Sequence, residues 1–199
     1  MTAGERVQLS PARRLKRAIQ LLDAGKPAAA IKDFTAVLEQ DTLHFLALLY
    51  RGDAHWQLRA LPAAVSDWRS AALKNEISHL PYTRIGAALS ETGRHHEALA
   101  EFAVGIKKAP SDPRGWNGRG ITRFHMRDFV GAVDDYTKAI RRGQRVPADV
   151  RALFWANRAE AELQLGDVVA ALKDAKKAAT LDASDEFVAS ILRAATRAP

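Results

Sequence analysis

Arginines and acidic residues recur in this chain at one fixed spacing, and they are the side chains that first suggest a reactive site. In four places an arginine precedes an acid by sixteen residues: Arg17 and Asp33, Arg51 and Asp67, Arg119 and Asp135, and Arg158 and Asp174. A fifth acid, Glu101, has Ile85 in place of the arginine. A guanidinium beside a carboxylate looks at first like a chemical site, but a pairing repeated along a chain is more typical of structural ion pairs. We therefore predict a ladder of ion pairs between facing helices.

His95 and His96 are the other candidates for chemistry, because neighbouring histidines can bind a metal ion. No third histidine or group of carboxylates lies at ligand spacing, and the 199 residues include no cysteine for thiolate sites or disulfides. We also find no glycine-rich phosphate loop, nucleophile elbow or pair of candidate catalytic carboxylates. The sequence therefore predicts no enzyme activity, no metal and no cofactor.

The elements that position these residues follow from a repeat of 34 residues. Alanines at this interval, and the large aromatic residues that follow them, are Ala30, Ala64, Ala98 and Ala132, then Phe34, Trp68, Phe102 and Tyr136. Glycines keep the same interval at Gly52, Gly86 and Gly120. A period of this length is typical of stacked pairs of helices, and small residues recur where helices approach closely. The sequence therefore predicts an all-α repeat protein.

This register of a small residue in the first helix, then an alanine, an aromatic residue and another small residue in the second, resembles the tetratricopeptide repeat. The resemblance implies a right-handed superhelical α-solenoid of five helical hairpins and a C-terminal capping helix. We assign the copies to one domain, at residues 11–44, 45–78, 79–112, 113–146 and 152–185. Residues 1–10 are an N-terminal extension, and residues 186–199 are the capping helix and tail.

In members of this family the first helices of the pairs line a groove that receives peptides. The matching positions here are Tyr50, Asp53, Trp56, Gln57, Arg84, Arg114, Asn117, Phe124, His125, Asn157 and Glu160. Aromatic rings, hydrogen-bonding groups and arginines suit recognition of an extended or helical segment, although the same side chains could simply be solvated. The resemblance implies a non-catalytic adaptor or scaffold that binds a protein or peptide partner within a larger complex.

One subclass of the family binds the acidic tails of heat-shock chaperones through a carboxylate clamp. Asn157 matches the central asparagine of that clamp. The other clamp positions, which carry lysines, an asparagine and an arginine in the subclass, are here Asn117, Ile121, Phe187 and Ile191. A role as a chaperone co-factor is therefore a less favoured alternative.

The net charge of +7 and the isoelectric point near 9.9 suggest a second kind of partner. The excess of basic residues gathers in two patches: Arg13, Arg14, Lys16 and Arg17, and then Lys138, Arg141, Arg142, Arg145 and Arg151. Such patches could bind RNA, an acidic protein or an anionic lipid surface through contacts that do not depend on sequence. Electrostatic binding to one of these surfaces is the main alternative function.

The chain also carries few signals for membranes or export. No stretch reaches the roughly 18 consecutive apolar residues that a membrane-spanning helix needs. The first residues, MTAGERVQLS, lack the apolar core of a secretory signal. We therefore expect a cytoplasmic protein.

Overall fold

The computed structural model describes residues 9–198, in which helices alternate with short turns and no β-strand occurs. The helices are α1 (Pro11–Asp23), α2 (Pro27–Leu38), α3 (Phe45–Gln57), α4 (Leu61–Lys74), α5 (Leu80–Glu91), α6 (His95–Lys108), α7 (Pro113–His125), α8 (Phe129–Arg142), α9 (Ala148–Gln164), α10 (Val168–Leu181) and α11 (Glu186–Arg197). A short 3-10 helix at Gly143–Arg145 lies between α8 and α9. The predicted all-α fold of five helical hairpins and a capping helix is confirmed.

Helix starts are set by polar caps and by proline. The Ser10 hydroxyl accepts a hydrogen bond from the Arg13 amide, and Pro11 occupies the first turn of α1, where its missing N–H has no partner to lose. The Asp112 carboxylate caps α7 in the same way, by accepting from the Arg114 amide at 2.8 Å. Of the predicted N-terminal extension, residues 1–8 lie outside the described residues, so that assignment stays a prediction.

Tight turns between the two helices of a hairpin require a left-handed backbone residue. Glycine supplies it in three hairpins, at Gly25, Gly93 and Gly166. In the other two, Arg59 and Arg127 adopt φ values of 60° and 64°. A side chain at such an angle is uncommon, so helix packing on both sides of these turns must hold the conformation.

The described part of the chain divides into two compact units, the first ending at residue 81 and the second beginning at residue 82. In the first unit α1 pairs with α2, α3 pairs with α4, and α2 packs against α3. In the second unit α7 pairs with α8 and α9 pairs with α10, and the neighbouring hairpins meet where α6 contacts α7 and α8 contacts α9. Helix α9 begins at Ala148, ahead of the predicted start of the fifth copy at 152. The assignment of all five copies to one domain stays a prediction.

The repeated apolar positions form the cores of the hairpins. The four periodic alanines are 0% exposed, and the four aromatic side chains that follow them are at most 2% exposed. In the last hairpin Ala175 stands at the aromatic position, and it is buried in a cluster with Val188, Ile191 and Ala195 of α11. The capping helix therefore supplies bulk that the small alanine side chain lacks.

The predicted ladder of ion pairs is confirmed in all four places. Each arginine donates from Nε and Nη2 to the two oxygens of one carboxylate, at N to O distances between 2.5 and 3.1 Å. The four aspartates, Asp33, Asp67, Asp135 and Asp174, are buried. A buried carboxylate is stable only when such a partner compensates its charge, so these pairs hold the two helices of a hairpin together.

Candidate functional site

The second unit contains an open cavity of about 540 Å³ among α5, α6 and α7, which we call the α5–α7 pocket. Its lining residues are Ala87, Ser90, Glu91, Gly93, His95, Phe102, Gly118, Ile121 and His125. Most of them come from α5 and α7, the first helices of two successive hairpins. The pocket therefore lies on the face that the sequence predicts to receive a partner.

Small side chains line part of this pocket. Ala87 and Gly118 stand on α5 and α7, and a Cβ atom placed on Gly118 would lie only 2.5 Å from Cε1 of Phe102. Glycine at this position lets α7 approach the Phe102 ring, which is 2% exposed. Phe102 and Ile121 give the pocket apolar walls.

Polar groups border the apolar walls. The rings of His95 and His125 stack with centroids 5.8 Å apart, and His95 Nδ1 is buried without a hydrogen-bond partner. The hydroxyl oxygens of Ser90 and Thr122 are 3.0 Å apart and fix that part of the wall. An apolar pocket with a few directional polar groups at its edge is typical of ligand-binding sites.

Several predicted groove residues surround the pocket or lie on the same helices. His125 lines the pocket, and Phe124 beside it packs edge-on against Phe129, with centroids 5.3 Å apart. Asn117 of α7 accepts a hydrogen bond of 3.1 Å from the amide nitrogen of Asn157 on α9. This bond links two first helices, so the pair has a structural role whether or not a partner is bound.

Arg84 and Arg114 differ in their surroundings. Arg84 is half-buried on α5. Arg114 is exposed at the start of α7, where Asp112 accepts from its Nη2 at 2.7 Å. This pairing raises the pKa of Arg114 and holds its guanidinium near the helix terminus.

Glu160 lies half-buried on α9, and Gln57 is exposed at the end of α3 in the first unit. Three more predicted groove residues also belong to the first unit. Tyr50 stacks on Phe34 with ring centroids 6.4 Å apart, and Asp53 accepts from Trp68 Nε1 at 3.1 Å. Trp56 packs at a tilt against Trp68, at 6.5 Å. These three side chains are partly buried and packed against core aromatics, so each contributes to the stability of its hairpin.

Five residues that line the pocket from first helices were not among the predicted groove residues: Ala87, Ser90, Glu91, Gly118 and Ile121. Of these, only Ile121 was considered in the sequence analysis, as a position of the carboxylate clamp. Ala87, Ser90 and Gly118 have small side chains that carry no recognition chemistry of their own. Small residues at facing positions of α5 and α7 are the signal that could have indicated a cavity.

The basic patches are partly neutralised. In the first patch Arg17 is paired with Asp33, and Arg14 Nη1 lies 3.7 Å from the same carboxylate. In the second patch Lys138 is paired with Asp134 at 2.5 Å, and Arg142 donates to the Pro110 carbonyl at 2.6 Å. The exposed cations that remain in these patches are Arg13, Lys16, Arg141 and Arg145.

Metal and membrane sites can be assessed for residues 9–198. Within that range no cluster of three or more histidine or carboxylate side chains is arranged to hold a metal ion. No helix in this part of the chain combines the length and apolar character needed to span a bilayer.

Glu162 of α9 is a buried carboxylate whose oxygen Oε2 has no hydrogen-bond partner. Burial, with a contribution from the charge of Asp174, raises the pKa of Glu162 to about 7, although Arg158 opposes the shift. Arg158 Nε lies 3.6 Å from Glu162 Oε1, which is too far for a strong hydrogen bond. Burial also raises the pKa of the neighbouring Glu160.

We expect Glu162→Gln to weaken the dependence of stability on pH. Because the folded pKa exceeds the ordinary value of 4.5, the folded state binds the proton more tightly, and Glu162 lowers the free energy of unfolding as pH rises from 4.5 to about 7. The neutral amide removes this contribution. Chemical unfolding at pH 5 and pH 8 should show a smaller loss of stability at pH 8 in the variant. The exposed Glu39→Gln is the control, and an unchanged pH dependence in Glu162→Gln would refute the assignment.

The family model described as tetratricopeptide repeat matches residues 15–77, 83–147 and 126–186. A search of curated proteins finds no match. Among solved structures, the hetero-tetramer of Cut9 and Hcn1 from the APC/C is similar with a TM-score of 0.84 and 20% identity. That match covers 94% of this chain, which spans only 36% of the other chain.

Two further solved structures match nearly end to end. The tetratricopeptide repeat protein TTC0263 of Thermus thermophilus has a TM-score of 0.74 at 17% identity, with 94% of this chain and 99% of that chain covered. YrrB, described as a protein of this repeat class with an unusual peptide-binding site, has a TM-score of 0.64 at 13% identity, with 92% of both chains covered. At such low identity these likenesses concern the fold alone.

Proposed function

Because the chain belongs to the tetratricopeptide repeat family, we propose that it is a non-catalytic adaptor that binds a segment of a partner protein at the α5–α7 pocket, within a larger complex. The observation that carries this proposal is the 540 Å³ cavity between two first helices. Cavities of a few hundred cubic ångströms with apolar walls are typical of binding sites. A cytoplasmic location is part of the same proposal.

The chemistry of the wall favours a polypeptide segment with an apolar anchor. Phe102 and Ile121 would bury an apolar side chain, and the histidines and Ser90 would hydrogen-bond to the backbone or to a neighbouring polar group. The description of YrrB as a peptide-binding protein gives independent support for this kind of ligand on a similar fold.

Two alternatives have less support. A chaperone co-factor would need Asn157 for the clamp, yet that amide already bonds to Asn117. Binding of RNA or an anionic surface would rely on the basic patches, where Arg14, Arg17 and Lys138 lie against carboxylates. Affinity capture with a pocket variant and with nuclease treatment distinguishes these alternatives from binding at the pocket.

We expect Ala87→Trp to weaken partner binding by at least about tenfold, because an indole at an exposed position of the pocket wall would fill the space for the anchor. The measurement is affinity capture from the native cell, followed by titration of the purified partner. Ala103→Trp is the matched control, since Ala103 is also exposed and lies on α6 of the same hairpin.

Nuclease treatment is the second arm of this experiment. A protein partner that survives nuclease and is lost only with Ala87→Trp supports the adaptor. If Ala103→Trp weakened partner binding equally, the pocket would not be the site that binds the partner. Loss of all partners on nuclease treatment of the unsubstituted protein would assign the function to the basic patches instead.

A further inference from the structure

A second cavity, far smaller and more enclosed, lies among α8, α9 and α10. Its volume is about 110 Å³, and its lining residues are Ile140, Gln144, Arg151, Phe154, Trp155, Lys177 and Leu181. We call it the basic cavity. Arg151 and Lys177 contribute two positive charges, Gln144 contributes an amide, and no acidic residue lines it. The cavity is thus suited to a single small anionic group.

Arg151 supports the binding of an anion in this cavity. Its guanidinium lines the cavity, although the Nε atom itself is enclosed by protein. Guanidinium groups form strong paired hydrogen bonds with phosphate or carboxylate oxygens. An anion in the basic cavity would therefore lie against the guanidinium of Arg151.

A shallow shelf adjoins the basic cavity and shares Trp155 and Lys177 with it. The shelf has a volume of about 340 Å³, and Lys173, Lys176 and Thr180 complete its lining. The indole and the aliphatic stems of the lysines provide apolar contact, while the ammonium groups stay near solvent. A ligand that spans both spaces would have an anionic end and an apolar body.

We propose that the basic cavity binds the phosphate group of a phosphate monoester whose apolar part lies on the shelf beside Trp155. A phosphate monoester carries a charge of about −1.5 to −2 near neutral pH, which matches the two cations of the cavity better than a single carboxylate does. Lys173 and Lys176 would add attraction from the shelf. The source of the phosphate is a phosphorylated side chain or a free organic phosphate.

A nucleic acid fits this site less well. Single strands bind by stacking successive bases on open aromatic faces along a continuous basic groove. Here the guanidinium of Arg158 lies over the Trp155 ring at 5.0 Å, and the same indole packs against two hydrophobic clusters. The exposed part of the indole is therefore better suited to contact with one compact apolar group.

The test is calorimetric titration of the full chain with four probes: phenyl phosphate, inorganic phosphate, benzoate and a single-stranded RNA of ten uridines. We expect phenyl phosphate to bind at least about tenfold more tightly than benzoate, which has the same ring and one negative charge. We also expect it to bind more tightly than inorganic phosphate, because only phenyl phosphate reaches the shelf. The indole N–H resonance of Trp155 should shift during the titration with phenyl phosphate.

Three variants locate the binding. Arg151→Gln and Lys177→Gln should each weaken phenyl phosphate binding by about tenfold or more, whereas Arg145→Gln should not change it. Arg145 is the matched control, because it is an exposed arginine near the cavity that does not line it. Lys177 is exposed on α10, so Lys177→Gln keeps the test valid if Arg151→Gln fails to fold.

Three results would overturn the proposal: equal weakening by Arg145→Gln, equal affinity for benzoate, or tighter binding of the RNA. A final arm compares phenyl phosphate with a short peptide that contains phosphotyrosine. Tighter binding of the peptide would indicate a phosphorylated protein as the source, and equal binding would indicate a small organic phosphate. If the phosphate proposal fails, the proposal for the α5–α7 pocket is unaffected, since the two sites share no lining residue.

Discussion

Arg158→Met should lower the free energy of unfolding by roughly 3–5 kcal/mol, because it leaves buried carboxylates without their cation. Arg158 donates to the two oxygens of Asp174 at 2.6 and 3.1 Å, and it is also the cation beside Glu162. Asp174 is 3% exposed, so water cannot replace the lost partner. Urea unfolding at pH 7, followed by far-ultraviolet circular dichroism, measures the effect.

The control for this prediction is Arg94→Met. Arg94 and Glu97 form an ion pair of 2.6 Å, but both side chains are more than half exposed. Surface pairs of this kind contribute little to stability because water screens and replaces them. If the two variants were equally stable, the ladder of ion pairs would have no special role in holding the hairpins.

Gly52→Leu should destabilise the first unit by about 1–3 kcal/mol through overpacking. A Cβ atom at Gly52 would lie 2.5 Å from Nε1 of Trp68, and that nitrogen donates to the Leu49 carbonyl at 3.1 Å. Trp68 is 2% exposed and has no room to move. A thermal melt should therefore show a clear fall in Tm.

Two alanine variants calibrate this result. Alanine is favoured over glycine inside a helix by about 1 kcal/mol, so any loss on Gly52→Ala reports the clash with Trp68. A Cβ atom at Gly86 would lie 3.1 Å from the Phe102 ring, which is a milder contact. Relative to the unsubstituted protein, Gly52→Ala should therefore lose more stability than Gly86→Ala. The reverse order would contradict the packing described for α3 and α4.

The repeated features of the fold were predictable because each depends on contacts that recur in every hairpin. Ala64 and Trp68 are buried in one hairpin for the same reason that Ala132 and Tyr136 are buried in another. Comparing copies therefore revealed the core without any knowledge of distances. The arginine and aspartate ladder followed from the same logic, since sixteen residues separate facing positions of two paired helices.

The α5–α7 pocket was not predictable in this way, because it depends on features that differ between copies. Only one hairpin has a glycine, Gly118, at the position that contacts the aromatic ring of the preceding copy, here Phe102. The stacked rings of His95 and His125 belong to different copies. The partial neutralisation of the basic patches is a similar case. Arg142 could be counted as a free cation from the sequence, but its guanidinium donates to the Pro110 carbonyl, which is 32 residues away in the chain.

The most direct test of the adaptor model is protection of a single thiol in the pocket. The chain has no cysteine, so Ala87→Cys and Ala103→Cys each introduce one unique reactive group. The rate of alkylation is measured for both variants with and without the partner recovered by affinity capture. If the pocket binds the partner, the partner should slow alkylation at position 87 by about tenfold or more and leave alkylation at position 103 unchanged. Unchanged alkylation at position 87 in the saturated complex would contradict it.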